Sequence, residues 1–296
     1  MTRAAVTTGH LTATLELPPG LDTGPAVTAA DRLPGGWHPT LPPVAGLPDG
    51  PVLTVSDTGP EPAVRVHGQT VHLNLPHQAA RTSTLAYVTY TALERARQQR
   101  QILTLHANAA VTPSGQGILL LGNKGAGKTS VTLALGARGW THAGDDLTVL
   151  VEAGPDLLIF PGKPTAAVRP ADPALWQAPK PVITLTPFLH VPVPLAGVIR
   201  LTVHPAVPGP LLALATPFSP NEQLRLHEAL ARYISGLPTP LTGPVCAPYG
   251  PVWPLDDPSL ARWRTHLITR LEQHPYSYLY APDARTAADL ITKRYM

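Results

Sequence analysis

Residues 117–129 join an apolar segment to a glycine-rich loop whose side chains are suited to binding phosphate. The loop reads Gly122, four residues, Gly127, Lys128 and Thr129, which is the complete spacing of a phosphate-binding loop. The glycines allow backbone N–H groups to approach phosphate, Lys128 can neutralise the outer phosphates, and the Thr129 hydroxyl can ligate Mg²⁺. The spacing therefore predicts a site for a nucleoside triphosphate together with Mg²⁺.

The segments on either side of this loop have the patterns that a phosphate-binding loop requires. Ile118–Leu121 is a short, unbroken apolar run, which predicts a buried parallel strand. From about Gly127 to Arg138 the pattern predicts a helix, and Gly139 provides its C-terminal stop. A chance match would not need this order of strand, loop and helix. We predict nucleotide contacts along the whole loop, at Gly122, Asn123, Lys124, Gly125, Ala126, Gly127, Lys128, Thr129 and Ser130.

Two adjacent carboxylates, Asp145 and Asp146, follow the predicted helix and precede another apolar run. One carboxylate of the pair could hold Mg²⁺ together with Thr129, and the other could take the proton from an attacking hydroxyl. Repulsion between adjacent carboxylates also raises the pKa of one of them toward a value useful for a base. The alternative is a solvated turn in which Asp146 merely caps the next element.

His106 is a second candidate for the catalytic site, because it ends the strand-like run Ile102–Leu105. A neighbouring strand could present it near the phosphates. The alternative is a histidine whose ring is satisfied by a backbone carbonyl and which has no catalytic role.

A basic side chain is also expected near the transferred phosphoryl group, where it would stabilise negative charge. Lys163, Arg169 and Arg200 each follow an apolar or proline-rich stretch from which they could face the site. We favour Arg169, and a surface arginine without a role in the site is the alternative.

The composition restricts the class of protein. Hydrophobic residues make up 44% of the 296 positions, and the net charge of +3 comes without a long Lys/Arg run, so a globular protein without a nucleic-acid partner is expected. The single cysteine, Cys246, excludes an internal disulfide and fits a reducing compartment. We find no signal peptide and no apolar run long enough to span a membrane. These features predict a cytoplasmic protein that does not bind membranes.

Two regions differ in their patterns. Residues 1–75 are proline-rich, and short β segments alternate with turns there, whereas residues 76–296 combine strands and helices. We therefore predict a small, mostly β N-terminal portion followed by an α/β domain with helices gathered at its C-terminus. Predicted strands are 11–17, 52–55, 63–66, 70–75, 102–105, 148–151, 157–160, 182–185 and 198–203. Predicted helices are 82–100, 222–235, 258–271 and a final one capped by Asp283.

The run from His106 to Asp146 resembles the kinase core of HPr kinase/phosphorylase and its wider set of HPr-kinase-like proteins, which are related to phosphoenolpyruvate carboxykinase. The matching features are a histidine, the Gly122–Thr129 loop, the helical segment Val131–Gly139 and the aspartate pair. The resemblance implies an α/β fold with a P-loop kinase core and a mixed, β-rich sheet. It also implies that ATP and Mg²⁺ are used and that a homo-oligomer forms.

The resemblance assigns roles to individual residues. It implies that Lys128 contacts the phosphates, that Asp146 accepts the substrate proton, and that His106 is an active-site histidine. Thr129 then helps to hold Mg²⁺, and Asp145 is left as the metal-binding carboxylate of the pair. The stretch Phe160–Arg169 lacks the Arg-Gly-containing signature of the bifunctional HPr enzymes. We therefore predict transfer of the γ-phosphoryl group to a hydroxyl of a small molecule, amino acid or peptide. A protein serine kinase of the HPr kinase type and a non-catalytic, nucleotide-binding regulator are the alternatives.

Overall fold

The computed structural model describes most of the chain outside several proline-rich stretches. The described residues are 2–8, 11–21, 50–56, 63–74, 84–169, 180–235 and 255–296, together with the single positions 24 and 174. Cys246 and the predicted domain boundary at residue 75 lie outside these ranges.

The chain divides into two units. One unit comprises residues 1–103 and 230–264, and the other comprises residues 104–229 and 265–296. Residues 84–103 therefore group with the N-terminal strands, because helix α1 (Thr84–Gln98) packs against their sheet. Whether residues 1–75 and 76–296 are separate functional domains stays a prediction.

The first unit contains a five-stranded sheet within the described residues. Its order is β1-β2-β3-β5-β4, with parallel pairing of β2 with β3 and of β3 with β5, and antiparallel pairing at both ends. Four of its strands lie where the sequence predicts strands, whereas β1 was not predicted. The strands are β1 (Thr2–Thr8), β2 (Leu11–Leu17), β3 (Val52–Ser56), β4 (Ala63–His67) and β5 (Thr70–Asn74).

The large sheet of the second unit is mixed. Its order is β6-β10-β11-β14-β8-β7-β9, and β16 pairs with both β14 and β15. Strands β8, β14 and β16 run parallel, and their other neighbours are antiparallel. The predictions of an α/β fold and of a mixed sheet are confirmed. The strands are β6 (Ile102–Leu105), β7 (Asn108–Val111), β8 (Gly117–Leu121), β9 (Thr141–Gly144), β10 (Thr148–Ala153), β11 (Asp156–Phe160), β14 (Val193–Val203), β15 (Leu211–Leu214) and β16 (Tyr276–Ala281).

Strand β8, which leads into the glycine-rich loop, lies inside this sheet. It pairs with β14 on one side and with β7 on the other, and all five of its residues are buried. A strand covered on both faces needs apolar side chains at every position. This explains why the segment reads as a continuous apolar run and not as an alternating one.

Helix α2 (Lys128–Gly136) follows the loop and ends as the sequence predicts. Gly139 has a φ of 85°, its N–H donates to the Gly136 carbonyl at 3.0 Å, and the Trp140 N–H donates to the Leu135 carbonyl at 3.2 Å. This is the hydrogen-bond pattern of a Schellman motif, which requires a left-handed residue after the helix. Buried side chains of α2, β8, β14, β16 and the C-terminal helix form one core, which includes Ile118, Leu120, Val131, Leu135, Trp140, Ile199, Leu201, Leu279 and Ile291.

The remaining helices are α3 (Pro220–Ala231), α4 (Pro258–Glu272) and α5 (Ala284–Tyr295). Asp283 caps α5 by accepting a hydrogen bond from the Thr286 N–H at 2.8 Å, as the sequence predicts, and α5 packs against α2. Strands β12 (Thr165–Ala167) and β13 (Val182–Thr184) form a separate two-stranded ribbon. None of the helices in the described ranges is both long and apolar enough to cross a membrane.

The end of α2 can be tested through Gly139. Replacing Gly139 by alanine should lower the free energy of unfolding by about 1 kcal/mol, because a Cβ atom is strained at positive φ. No described atom lies within 4 Å of that Cβ position, so the cost comes from the backbone alone. Asparagine tolerates this conformation better and should cost less. Urea unfolding of the three proteins measures the difference, and an alanine variant as stable as wild type would contradict the assignment.

Candidate functional site

The glycine-rich loop, residues 122–129, contains two glycines whose surroundings leave no space for a side chain. Gly122 has a φ of 154° and Gly127 a φ of 90°. A Cβ atom at Gly122 would lie 2.7 Å from the Ala126 Cβ, and one at Gly127 would lie 2.8 Å from the Val203 Cβ on β14. Both positions therefore favour glycine by conformation and by packing. The loop is held closely against the end of β14.

Lys128 stands at the first position of α2 and is buried. Its Nζ donates to the Gly122 carbonyl at 2.9 Å, so its side chain bridges the two ends of the loop. An ammonium group has three N–H donors, and this bond is compatible with a further contact to phosphate. Gly127, the N-cap of α2, provides no side-chain cap, and the first turn of the helix directs its N–H groups toward the loop.

The tip of the loop is open to solvent. Asn123, Lys124, Gly125 and Ser130 are exposed, and Ala126 is half-buried. The Ala126 N–H donates to the Asn123 carbonyl at 3.0 Å, which closes a turn. Residues 123–126 lie on the loop and Ser130 on the first turn of α2, and the contacts of all of them with nucleotide stay predictions.

The structure brings the loop and the aspartate pair together. The Thr129 Oγ1 donates to the Asp145 Oδ1 at 2.7 Å. Thr129 lies on the first turn of α2, whereas Asp145 directly follows β9. Strands β8, β7 and β9 are neighbours in the sheet. The two side chains therefore meet at the same end of these strands, although they are distant in sequence.

Asn108, which sequence reasoning missed, connects these groups. Its Nδ2 lies 2.5 Å from the Asp145 Oδ1 and 3.0 Å from the Thr132 Oγ1, and its Oδ1 accepts from the Asp146 N–H at 3.0 Å. Asn108 is completely buried at the start of β7. The sequence contains one signal for this role. Asn108 is a polar residue at the start of a short run of small apolar residues, two positions after His106. A single amide thus orients both aspartates.

Asp145 carries a buried oxygen that lacks a partner. The side chain is 1% exposed, and its Oδ2 has no hydrogen-bond partner among the described residues. Burial, and secondly the charge of Asp146, raises the pKa of Asp145. A buried, unpaired carboxylate oxygen is costly, and a bound cation would remove this cost.

Asp146 has a different environment from its neighbour. Its φ is 58°, its side chain is half-exposed, and its Oδ1 lies 3.5 Å from the His106 Nε2. Interaction with His106 lowers the pKa of Asp146, despite partial burial. The pKa is therefore raised at Asp145, the predicted Mg²⁺ ligand, and lowered at Asp146, the predicted base. At Asp145 the effect of burial on the pKa outweighs that of the hydrogen bonds from Thr129 and Asn108.

The three basic candidates have separate locations. Lys163 is half-buried, and its positive charge makes a minor contribution that favours the ionised form of both aspartates. Arg169 lies beyond β12 with its side chain exposed, and its role in the site stays a prediction. Arg200 donates to the buried Glu222 at 2.8 Å and 2.5 Å, so this guanidinium is committed to an internal ion pair.

Neutralising each aspartate in turn should change the free energy of unfolding in opposite directions. At neutral pH, without nucleotide or metal, Asp145→Asn should raise the free energy of unfolding by an amount on the order of 1 kcal/mol, because it removes a buried charge with an unpaired oxygen. Asp146→Asn should lower it, because His106 stabilises that carboxylate. Urea unfolding measures both changes.

The difference in stability between wild type and Asp145→Asn should depend on pH in a defined direction. The pKa of Asp145 is raised in the folded state, so its penalty is present above that pKa and disappears as the pH falls through it. The stability gap between wild type and Asp145→Asn should therefore narrow on acidification. A gap that widens, or an Asp145→Asn variant less stable than Asp146→Asn, would contradict the assigned environments.

Comparisons with known proteins give little further information. No family model matches the chain, and no curated protein matches it. Among solved structures, it is similar to the Hpr(Ser) kinase/phosphatase from Coxiella burnetii, with a TM-score of 0.26 and 22% identity, covering 38% of this chain and 75% of that chain. A TM-score of this size does not establish a shared fold.

Proposed function

We propose that this protein is an ATP- and Mg²⁺-dependent kinase that transfers the γ-phosphoryl group to a hydroxyl of a small molecule, amino acid or peptide. The observation that carries the proposal is the hydrogen bond between Thr129 and Asp145. It joins the first turn of the helix behind the glycine-rich loop to a buried carboxylate, and the second carboxylate lies beside it. A binding loop alone would not need the second carboxylate.

The residues present fit a magnesium ion. The unpaired Oδ2 of Asp145 is a hard oxygen donor, and Mg²⁺ is usually held by one or two carboxylates together with substrate phosphates. Asp145 and Thr129 would hold the ion. When bound, Mg²⁺ would neutralise charge on the phosphate oxygens during transfer.

The glycine-rich loop supports binding of the triphosphate. Backbone N–H groups at the start of α2 and the ammonium group of Lys128 attract phosphate oxygens. The positive φ of Gly122 and Gly127 favours glycine at both positions, and glycine has no side chain that would obstruct the phosphates. These features favour polyphosphate binding at the loop without selecting a particular base, and ATP follows from the resemblance.

Two properties of Asp146 support the role of general base. Its lowered pKa keeps it ionised at neutral pH, and its half-exposed side chain is accessible to an acceptor. As the acceptor oxygen bonds to the γ-phosphorus and the bond to the β-phosphate oxygen breaks, the hydroxyl proton passes to the Asp146 carboxylate. His106 orients the carboxylate through its Nε2.

The decisive test compares Asp146→Asn with wild type. Labelled ATP and Mg²⁺ are supplied with separate pools of metabolites, peptides and proteins, and phosphorylated products are identified by mass spectrometry. We expect the variant to bind nucleotide with near wild-type affinity and to transfer phosphate at least about 100-fold more slowly, as for the loss of a general base. Asp156→Asn, at an exposed position of β11, is the matched control and should behave as wild type.

The outcomes separate the alternatives. Equal transfer by wild type and Asp146→Asn would refute the proposed base. Nucleotide binding without a phosphorylated product from any pool would favour the non-catalytic regulator. A phosphorylated protein as the sole product would favour the protein serine kinase. Oligomeric state and cytoplasmic location stay predictions.

A further inference from the structure

We infer that Lys163 is a second phosphate-binding cation, which contacts the γ-phosphoryl group of the bound nucleotide. The inference rests on the proposed function. It assigns a binding role in the site to a residue outside both the glycine-rich loop and the aspartate pair.

The backbone holds Lys163 against the aspartate turn. The Asp145 N–H donates to the Lys163 carbonyl at 3.2 Å, and the Lys163 N–H donates to the Leu147 carbonyl at 3.1 Å. The preceding Gly162 N–H donates to the Ala143 carbonyl at 2.7 Å. Three backbone hydrogen bonds therefore hold the segment that contains Lys163 next to the segment that contains Asp145.

Glycine at position 162 permits this close approach. A Cβ atom there would lie 2.2 Å from the Leu147 carbonyl oxygen, and a Cβ at Gly144 would lie 3.4 Å from the Gly162 Cα. The two backbones are packed so closely that any other residue would separate them. The position of Lys163 beside the aspartates is thus built into the local packing.

The Lys163 side chain is available for contact with a ligand. It is half-buried and interacts electrostatically with both Asp145 and Asp146. Within the described parts of the chain, its ammonium group has no hydrogen bond and no ion pair at contact distance. Arg200, by contrast, is bonded to Glu222, which leaves Lys163 as the better placed of these two basic side chains.

The charges of the site indicate what Lys163 would contact. Two aspartates and a triphosphate together place several negative charges around one point, which Lys128 alone would not neutralise. Phosphoryl transfer is accelerated mainly by cations placed around the terminal phosphoryl group. Lys163 lies beside the aspartates, where the acceptor and the γ-phosphoryl group would meet, so it would contact the terminal group and not the inner phosphates.

The test compares binding of ADP with binding of a non-hydrolysable ATP analogue, both with Mg²⁺, by calorimetry. Lys163→Met, which keeps the aliphatic stem, should weaken binding of the triphosphate about tenfold and leave ADP binding within about twofold of wild type. Lys163→Arg should retain most of the preference for triphosphate. Lys180→Met, at an exposed position in the same unit, is the matched control and should bind both nucleotides as wild type does.

Each result has a defined meaning. Equal weakening of ADP and triphosphate binding, or no weakening of either, would overturn the role of Lys163 at the γ-phosphoryl group. Failure of the wild-type protein to bind any nucleotide would refute the proposed function itself, and this inference with it. Because Lys163→Arg preserves the charge, its retention of the triphosphate preference distinguishes a ligand contact from a general loss of structure.

Discussion

The hydrogen bond between Thr129 and Asp145 is the interaction on which the candidate site depends. It connects the start of α2 to the end of β9, and Asn108 braces the same carboxylate from β7. Strands β8, β7 and β9 are neighbours in the sheet. Thr129 follows β8, Asn108 begins β7 and Asp145 follows β9, so the three side chains lie side by side. Without this sheet order, the loop and the aspartates would be two unrelated features of the sequence.

The same arrangement gives two adjacent aspartates different properties. Asp145 is buried against Asn108 and Thr129, whereas Asp146 has a positive φ that turns its side chain toward His106 and solvent. Burial disfavours the charge on the first carboxylate, and the histidine favours the charge on the second. The metal-binding and proton-accepting roles that we propose are therefore assigned by burial and backbone conformation and not by residue type.

Close backbone packing recurs around the site. Gly127 lies against Val203, and Gly162 lies against the Leu147 carbonyl, at distances that admit no side chain. Both contacts hold a segment of the candidate site, the loop in one case and Lys163 in the other, close to the sheet. The unpaired, buried oxygen of Asp145 indicates a site that is preformed at a cost in stability.

The sequence by itself determined the local elements, because their signals are local: an unbroken apolar run for β8, glycine in the left-handed conformation for the end of α2, and an aspartate cap for α5. The mixed character of the sheet was expected only from the resemblance. Tertiary structure alone decided the role of Asn108, the position of Lys163 beside the aspartates, the ion pair that occupies Arg200, and which aspartate has the raised pKa. These properties depend on burial and on contacts between residues distant in the chain, which residue spacing does not encode.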